Sequence, residues 1–370
     1  MRRLCNFGIF LSLLLSTFAY SKPFKVVFLN IAMKDDVWWI NAGKIMQAAC
    51  NDLDCKFTQY WAERDRNKMI QQLKEALSGS DKPDVAFFQS LKENGPQLLQ
   101  LCEDAKVHAF IFNAGFVDKL KKQYGGPREK FKYWLGQMLP NDERAGYDVA
   151  KTLFKIARSK GAVGPDKKIN VIGLEGNVSD FASIERVKGL KKAAGEEKDV
   201  VLHQVISAFW DREKAKGSVP DMLKRYPNTN AVWAANDPMA LGAIDVIPAS
   251  TRKLNKDIVV GSVDWIPEAL ESIKKDELSV SVGGHFMEAA WVIVLMADYY
   301  NGVDFAKTEG VDMQSQMGTL TKENVELYSK NLGSGTNWEA IDFKRFSKHY
   351  NKSVKKYDFT MDNVLKQFKK

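Results

Sequence analysis

Residues 231–243, AVWAANDPMALGA, decide the fold class of this chain. The first five residues form a short apolar run bounded by polar residues, which is typical of a buried parallel strand. The second half predicts the start of a helix, with Asp237 as its N-cap and Pro238 at the first helical position. Asn236 and Asp237 therefore follow the carboxyl end of a strand, which is the edge where open α/β sheets bind ligands.

The two polar side chains at this corner suit a ligand that carries hydroxyl groups. The Asn236 carboxamide offers two donors and an acceptor, and the Asp237 carboxylate offers acceptors only. The alternative is that both residues only cap the helix.

Alternating strand and helix patterns run along most of the chain. Predicted strands lie at 25–32, 55–61, 83–89, 107–114, 133–138, 168–176, 200–207, 231–235, 257–263 and 279–284. The polar segment 115–131 is predicted to be a surface loop, and the alternation restarts near residue 140. We therefore predict two similar lobes, each an α/β unit with a parallel sheet flanked by helices. A single (β/α)₈ barrel is the alternative.

The pattern changes after Asp304. Residues 311–317 predict a short strand, and Phe343, Phe346 and Tyr350 have the spacing of an amphipathic helix over 340–357. We expect this helix to pack on a lobe, because its aromatic side chains would otherwise be exposed. A free basic tail is the alternative.

Residues 1–21 have the pattern of a secretory signal peptide. Arg2 and Arg3 form a basic start, residues 9–15 form an apolar core, and Ala19-Tyr20-Ser21 fits a cleavage site. The apolar run is too short for a spanning helix. We expect the signal peptide to be cleaved and the mature protein to be exported to the periplasm.

The net charge of +8 overstates the basic character of the fold. Arg2 and Arg3 carry two of these charges, and residues 341–370 carry six more, so residues 22–340 are neutral. Because no basic stripe crosses the fold, nucleic-acid binding is not expected. The basic C-terminal extension, 341–370, is interpreted as a solvated surface, with a docking patch for an acidic partner as the alternative.

The cysteines favour a disulfide over a metal site. Cys50 and Cys55 flank a four-residue turn and could close a small loop in an oxidising compartment, whereas Cys102 lies on an apolar helical face and is predicted to be a buried thiol. The chain has no CxxC pair, and its four histidines are scattered, so we predict neither a metal site nor a cofactor.

Polar and aromatic side chains recur at the same end of several predicted strands. These candidate ligand-binding residues are Asp36, Trp38, Trp39, Asn113, Trp210, Asn236, Asp264 and His285. Aromatic faces stack on sugar rings or flat cations, and the polar groups match hydroxyls, so together they predict a ligand cleft. The alternative for the adjacent tryptophans is that both are core residues.

No sequence motif indicates an enzyme. The chain lacks GxSxG, HExxH, a P-loop and a GxGxxG that follows a strand. Asp36 and Asp264 could form a carboxylate pair for glycoside hydrolysis, which keeps a glycoside-acting enzyme as an alternative. We predict a binding protein without catalytic activity.

The chain resembles the type I periplasmic binding proteins of the ribose-binding and autoinducer-2-binding kind, which are related to LacI-type repressor cores. The resemblance covers residues 25–317. It rests on AVWAANDPMALGAI (231–244), DIVVGSVDWIPEALESIKKDELSVSV (257–282), LPNDERAGYDVAKTL (139–153), EGNVSDFASIERVKGL (175–190) and FWDREKAKGSVPDMLKRYPN (209–228). A signal peptide stands where repressors have a helix-turn-helix, which favours transport or sensing.

The resemblance implies two lobes that close on one small, sugar-like ligand. Lobe one would comprise 22–136 and 285–310, lobe two 137–284 and 311–340, with three crossings as the hinge. The implied partner is an inner-membrane ABC importer, with the sensing subunit of a membrane receptor kinase as the alternative, and a monomer is expected.

The resemblance also implies roles for the candidate residues. Asp36, Trp38 and Trp39 resemble the polar and stacking residues after the first strand, Trp210 the aromatic on the other sugar face, and Asn113, Asn236 and Asp264 the hydroxyl-binding groups. Two positions depart from the family pattern. Ile184 stands where the family often has a ligand-binding Arg, with Arg186 resembling a structural Arg, and Gly284 with His285 replaces an expected Gln or Arg. We therefore expect a ligand that is larger or less polar than ribose.

Overall fold

The computed structural model describes residues 23–90, 93–333 and 337–368, and its strands form two six-stranded sheets. The strands are β1 (Phe24–Asn30), β2 (Cys55–Trp61), β3 (Val85–Phe88), β4 (His108–Phe112), β5 (Trp134–Pro140), β6 (Ile169–Glu175), β7 (Val200–Ser207), β8 (Ala231–Ala234), β9 (Val259–Asp264), β10 (Val280–Gly283), β11 (Asp312–Ser315) and β12 (Gly318–Leu320). The predicted signal peptide lies outside the described residues.

Helices separate most of the strands. They are α1 (Val37–Asp52), α2 (Arg66–Ser78), α3 (Gly95–Ala105), α4 (Asp118–Tyr124), α5 (Asp142–Lys160), α6 (Phe181–Gly195), α7 (Arg212–Arg225), α8 (Asp237–Val246), α9 (Pro267–Lys274), α10 (Glu288–Tyr300), α11 (Val325–Asn331) and α12 (Met361–Leu365). No helix in the described ranges is both long enough and apolar enough to cross a bilayer.

The two sheets confirm the predicted two-lobed architecture and exclude the single barrel. The first sheet has the order β11-β5-β4-β3-β1-β2, and its strands are parallel. The second has the order β12-β10-β9-β8-β6-β7 and is parallel except for the β10–β12 pair. Strand β8 from the opening stretch lies inside the second sheet and is buried throughout, which explains its continuous apolar run.

The sheet pairing corrects the predicted lobe boundaries at two points. The predicted boundary after residue 136 falls inside β5, which runs to Pro140. Residues 312–315 pair with β5 in the first sheet, not with the second lobe as predicted. Strand β12, which the sequence did not predict, returns to the second sheet. Because β11 and β12 are short edge strands, their sequence pattern does not identify their partners.

The predicted surface loop 115–131 is wrong in part, because it contains α4. This short helix places Leu120 against the core and ends at Gly125, whose φ is +74°. The other residues of α4 are mostly charged, so Leu120 alone does not produce a helical pattern of apolar residues in the sequence.

The predicted helix over 340–357 is absent, and the expected packing is confirmed for Phe343 and Phe346 but not for Tyr350, which is 41% exposed. Phe343 and Phe346 are buried and contact Trp291 of α10, with ring centroids 6.5 and 4.7 Å apart. The Asp52 carboxylate accepts bonds from the backbone N–H groups of Phe343 and Lys344. These N–H groups are bound by a side chain, and a 3₁₀ turn forms in place of a longer helix.

A second buried carboxylate fixes the same C-terminal segment, which we define as residues 337–368. Asp298 of α10 accepts bonds from the backbone N–H groups of Lys348 and His349, at 2.7 and 3.0 Å, and from the Tyr357 hydroxyl at 2.7 Å. The Phe359 ring stacks on Trp291 with centroids 4.8 Å apart. The C-terminal segment is therefore a packed part of the first lobe rather than a free tail.

Among the described residues, the C-terminal segment lies on the first lobe after the three passages between the lobes that the resemblance implies. These three passages follow β5, β10 and β11. Helix α11 then lies on the second lobe, where Tyr328 contacts Trp265. Beyond it, the Trp338 ring contacts Phe286 of the first lobe with centroids 5.5 Å apart. The C-terminal segment thus packs on the first lobe beyond the three expected passages.

The predicted disulfide between Cys50 and Cys55 is present and joins the end of α1 to the start of β2, with Cα atoms 4.7 Å apart. Cys102 is a buried free thiol, as predicted.

Candidate functional site

The first-lobe part of the site begins at Asp36, which caps α1 directly after β1. Its carboxylate accepts a bond from the Trp39 backbone N–H at 3.4 Å, and an Arg64 nitrogen lies 3.8 Å from its other oxygen. Burial raises the pKa of Asp36 despite these favourable contacts. The predicted position of Asp36 at a strand end is therefore confirmed, and its carboxylate is already partly engaged by the protein.

The two adjacent tryptophans have different surroundings, as the helical geometry predicts. Trp38 is buried, and its ring contacts the His285 ring with centroids 4.8 Å apart. Trp39 is half-buried and packs edge-on against Trp38 at 4.6 Å. The Trp38 indole Nε1 has no hydrogen-bond partner in the protein. It is a donor that a bound molecule or a water can use.

Arg186 organises the second-lobe part of the site. Its side chain is 5% exposed, and its Nε donates to the Asp142 carboxylate at 2.7 Å. One terminal nitrogen donates to the Ala235 carbonyl at 2.7 Å and lies 3.5 Å from the Asp264 carboxylate. The other lies 3.3 Å from His285 Nε2. Arg186 thus joins groups from four places in the chain.

The aromatic side of this arrangement is Trp210. The Arg186 guanidinium lies 5.8 Å from the centre of its ring. The indole Nε1 donates to Asp180 at 2.9 Å, and the ring packs against Gly176, where a Cβ atom would collide with it. We call Arg186, Asp142, Asp264, His285 and Trp210 the Arg186 cluster. Three of the predicted site residues belong to it.

The Arg186 bond fixes the proton on His285. Burial, and then the neighbouring guanidinium, lower the pKa of His285, so its ring is neutral. Because Arg186 can only donate, His285 Nε2 accepts and the proton lies on Nδ1. That Nδ1 is buried without a partner in the protein. His285 therefore presents a second unused donor beside Trp38.

The carboxyl groups around Arg186 lie in a strongly desolvated environment. Burial raises the pKa of Asp264 well above its usual value and raises that of Asp142, although Arg186 acts in the opposite direction on both. Glu288 at the start of α10 has a raised pKa for the same reason and accepts a bond from the Ser315 hydroxyl. Unused oxygens of Asp142 and Glu288 are buried beside these contacts.

Asn236, and not Asp237, caps α8, and Asp237 is fully buried with both of its oxygens bonded within the protein. Asn236 is the N-cap of α8, since its oxygen accepts from the Met239 N–H at 3.0 Å, and its amide donates to the Trp210 carbonyl at 3.3 Å. Asp237 lies inside the helix start and accepts from Ser281 and the Ile266 N–H, at 2.8 and 2.9 Å. The prediction of Asp237 as cap was wrong by one residue, and Asn236 supports Trp210.

Several strand ends in the site have a backbone conformation that L-residues rarely adopt. Positive φ values occur at Asn113 (66°), Phe209 (57°), Trp210 (64°), Asp264 (140°) and Trp265 (70°). Such strain persists only where the surroundings hold it, and it is concentrated at functional sites.

Asn113 and Gln89 end the neighbouring strands of the first lobe. Asn113 lies beside Glu288, and its backbone N–H donates to the Met138 carbonyl at 3.0 Å. Gln89 is fully buried after β3, and neither atom of its amide has a partner in the protein. The sequence analysis missed Gln89 because it placed this residue inside a strand.

The sequence analysis assigned Arg186 a structural role, and its four protein partners are consistent with that role. A signal was present in α6: Arg186 shares a buried helical face with Ser183, Val187 and Leu190. A charged residue on such a face needs partners, but the sequence does not identify them.

Comparison with known proteins identifies the family. A family model described as periplasmic binding protein domain matches residues 26–303, so the chain belongs to the periplasmic binding protein family. A solved structure of a periplasmic sugar-binding protein from Pseudomonas fluorescens is 31% identical, with a TM-score of 0.79. The alignment covers 90% of this chain and 96% of that protein.

Two curated relatives have sugar-binding names. The D-allose-binding periplasmic protein of Escherichia coli (strain K12) is 26% identical over 256 residues, which is 68% of this chain and 76% of the relative. The ribose import binding protein of Bacillus subtilis (strain 168) is 34% identical over 117 residues. That match covers 32% of this chain and only 35% of the relative.

Proposed function

We propose that this chain captures a sugar or sugar-like molecule in the cleft between its lobes and delivers it to an inner-membrane ABC importer. The observation that carries this proposal is the Arg186 cluster, in which one buried guanidinium holds a carboxylate, an imidazole and an indole at separate strand ends. A carboxylate binds hydroxyls and an indole stacks on a sugar ring. The sugar-binding names of the relatives support the same ligand class.

The unused donors indicate how the ligand would engage both parts of the protein. Trp38 belongs to the first lobe, and His285 lies where the chain returns from the second lobe. A hydroxyl oxygen could accept from Trp38 Nε1 or His285 Nδ1 while its own proton goes to Asp264. A ligand with contacts to both lobes binds the closed form better and so shifts the population towards it.

Export and the absence of catalysis are parts of the same proposal. The Cys50–Cys55 disulfide supports an oxidising compartment, in agreement with the predicted signal peptide. Asp36 is near enough to Asp264 to raise its pKa, but Arg186 forms an ion pair with the Asp264 carboxylate, which favours a binding role over the earlier alternative of a catalytic carboxylate pair. A sugar panel incubated with the protein should yield no product. We propose a monomer, which light scattering after size-exclusion chromatography tests.

The decisive experiment is a thermal-shift screen of sugars, polyols and furanosides, followed by calorimetry on each hit. A ligand that binds only the folded protein raises its melting temperature. Small-angle scattering should then show a smaller radius of gyration with the ligand than without it. Stimulation of a reconstituted ABC importer by the loaded protein tests delivery, and stimulation of a receptor kinase instead would contradict that part. Failure of every sugar-like compound to bind would contradict the ligand class.

A further inference from the structure

Exposed apolar side chains are concentrated at the edge of the cleft. Eight large apolar side chains in the described part of the chain are strongly exposed, and five of them follow the carboxyl ends of strands. These five are Met33, Val37, Val178, Ile184 and Phe209. Single exposed apolar residues are ordinary, but five in segments that follow strands of both lobes indicate a binding surface.

Phe209 is the member of this set that the backbone constrains most. Its side chain is 50% exposed, and both it and Trp210 have positive φ values, 57° and 64°. Asp180 and Gly176 hold the neighbouring Trp210 indole in place. Two consecutive left-handed residues are costly for bulky side chains, so a solvent-facing phenyl ring at this position indicates a function.

The buried groups of the candidate site are polar, whereas the exposed side chains of this set are apolar. The buried groups there include Asp264, His285, Gln89 and the Trp38 N–H. Ile184 lies two residues before Arg186 on α6 and is 42% exposed, whereas Arg186 is buried in the cluster. The candidate site therefore combines a buried polar part with exposed apolar side chains in the segments that follow its strands.

We propose that Phe209, Ile184 and Val37 form an apolar subsite at the mouth of the cleft, and that the ligand is a sugar-like molecule that carries an apolar substituent. The sugar part would lie in the polar interior, and an alkyl or aryl group would lie between the two lobes at the mouth. This inference rests on the proposed function. A fully hydroxylated sugar would leave these apolar side chains in water. An apolar substituent that packs against them removes its own surface and theirs from water.

The test compares each free sugar with its own derivatives. D-allose, D-ribose and D-galactose are each measured by calorimetry beside their methyl, n-butyl and phenyl glycosides. For a sugar that binds, we expect its butyl or phenyl glycoside to bind about tenfold more tightly, because it buries additional apolar surface. The Phe209→Ser variant should reduce this ratio to less than about twofold.

Val163→Ser is the matched control, since Val163 is 43% exposed but precedes β6, at the opposite end of the strand. The control should keep the tenfold ratio. If free sugars bind and their glycosides bind no better, the subsite is refuted while the proposed function stands. An unchanged ratio in Phe209→Ser refutes it too, and a protein partner would then be the better explanation of the exposed edge. If neither sugars nor glycosides bind, both proposals fail.

Discussion

The indole ring of Trp38 and the imidazole ring of His285 lie in contact, with centroids 4.8 Å apart and planes tilted by 34°. Trp38 is in the first helix of the first lobe, and His285 follows the last parallel strand of the second sheet. Each ring carries a buried N–H group that no protein atom accepts. This contact therefore joins the first helix to the segment that returns from the second sheet, and it concentrates two unused donors at one place.

Trp38→Phe tests whether the indole N–H binds the ligand. The phenyl ring keeps the aromatic contact but removes the donor, so we expect affinity for an identified sugar to fall about fivefold. Calorimetry gives the affinity. Trp338→Phe is the control, because Trp338 is also buried with an unpartnered Nε1 but lies against Phe286, outside the Arg186 cluster. Equal affinities for the two variants would show that Trp38 only fills space.

Arg186→Met tests the cluster as a structural unit. The substitution leaves the Asp142 and Asp264 carboxyl groups buried without their cation, and we expect the free energy of unfolding to fall by about 3–5 kcal/mol. Urea denaturation measures the change. Lys188→Met on the same helix is the control, since its side chain is 59% exposed and its ion pairs lie at the surface. A loss as small as that of the control would contradict the central role of Arg186.

Asp264 allows binding and stability to be separated. Its φ of 140° lies in a region that glycine adopts without strain, so Asp264→Gly should be about 1 kcal/mol more stable than Asp264→Ala. Both variants should bind the ligand about 2–4 kcal/mol more weakly, because both lose the carboxylate. Thermal unfolding and calorimetry give the two quantities. If affinity is unchanged in both variants, Asp264 is a structural residue.

Asp237 predicts a specific dependence of stability on pH. Burial raises the pKa of Asp237 from 3.8 to about 6, so the folded protein holds this proton more tightly than the unfolded chain. The contribution of Asp237 to the free energy of unfolding is therefore fully present below pH 3.8 and is lost as the pH rises through about 6. Asp237→Asn should reduce this decline, which is on the order of 3 kcal/mol.

The measurement for Asp237 is the free energy of unfolding between pH 4 and pH 7. His285 acts in the opposite direction, since its lowered pKa makes the folded protein lose stability as the pH falls below its usual value of 6.5. Asp221→Asn on the exposed face of α7 is the control and should keep the wild-type slope. If Asp237→Asn also keeps the wild-type slope, a group other than Asp237 causes the loss of stability between pH 4 and pH 7.

The sequence predicted the elements of the fold well because each is encoded locally. The apolar run of β8 and the cap residues after it lie within a few positions of one another. The candidate site residues, whose binding role stays a prediction, were selected by a similar local signal, since each lies in a segment that follows a predicted strand. The cap assignment failed by one position because Asn236 and Asp237 are both good cap residues and only the contacts distinguish them.

The Arg186 cluster could not be predicted in this way. Its partners Asp142, Asp264 and His285 lie 44, 78 and 99 positions away along the chain. No local periodicity encodes such contacts. The same limit applies to β11, whose partner β5 lies far earlier in the sequence. The unused donors of Trp38 and His285 depend on a ring contact between residues that are far apart in the sequence, which only the folded structure shows.

The C-terminal segment has a consequence for the order in which the protein folds. Asp52, at the end of the first helix, binds the backbone of Phe343, 291 positions later. The first lobe, although synthesised first, therefore cannot complete its core until almost the whole chain is available. Contacts of such long sequence separation slow folding, because the loop between them must close first. The export that we propose would benefit from this delay, since the earliest segment of the chain has no complete native structure to adopt before the C-terminal segment is made.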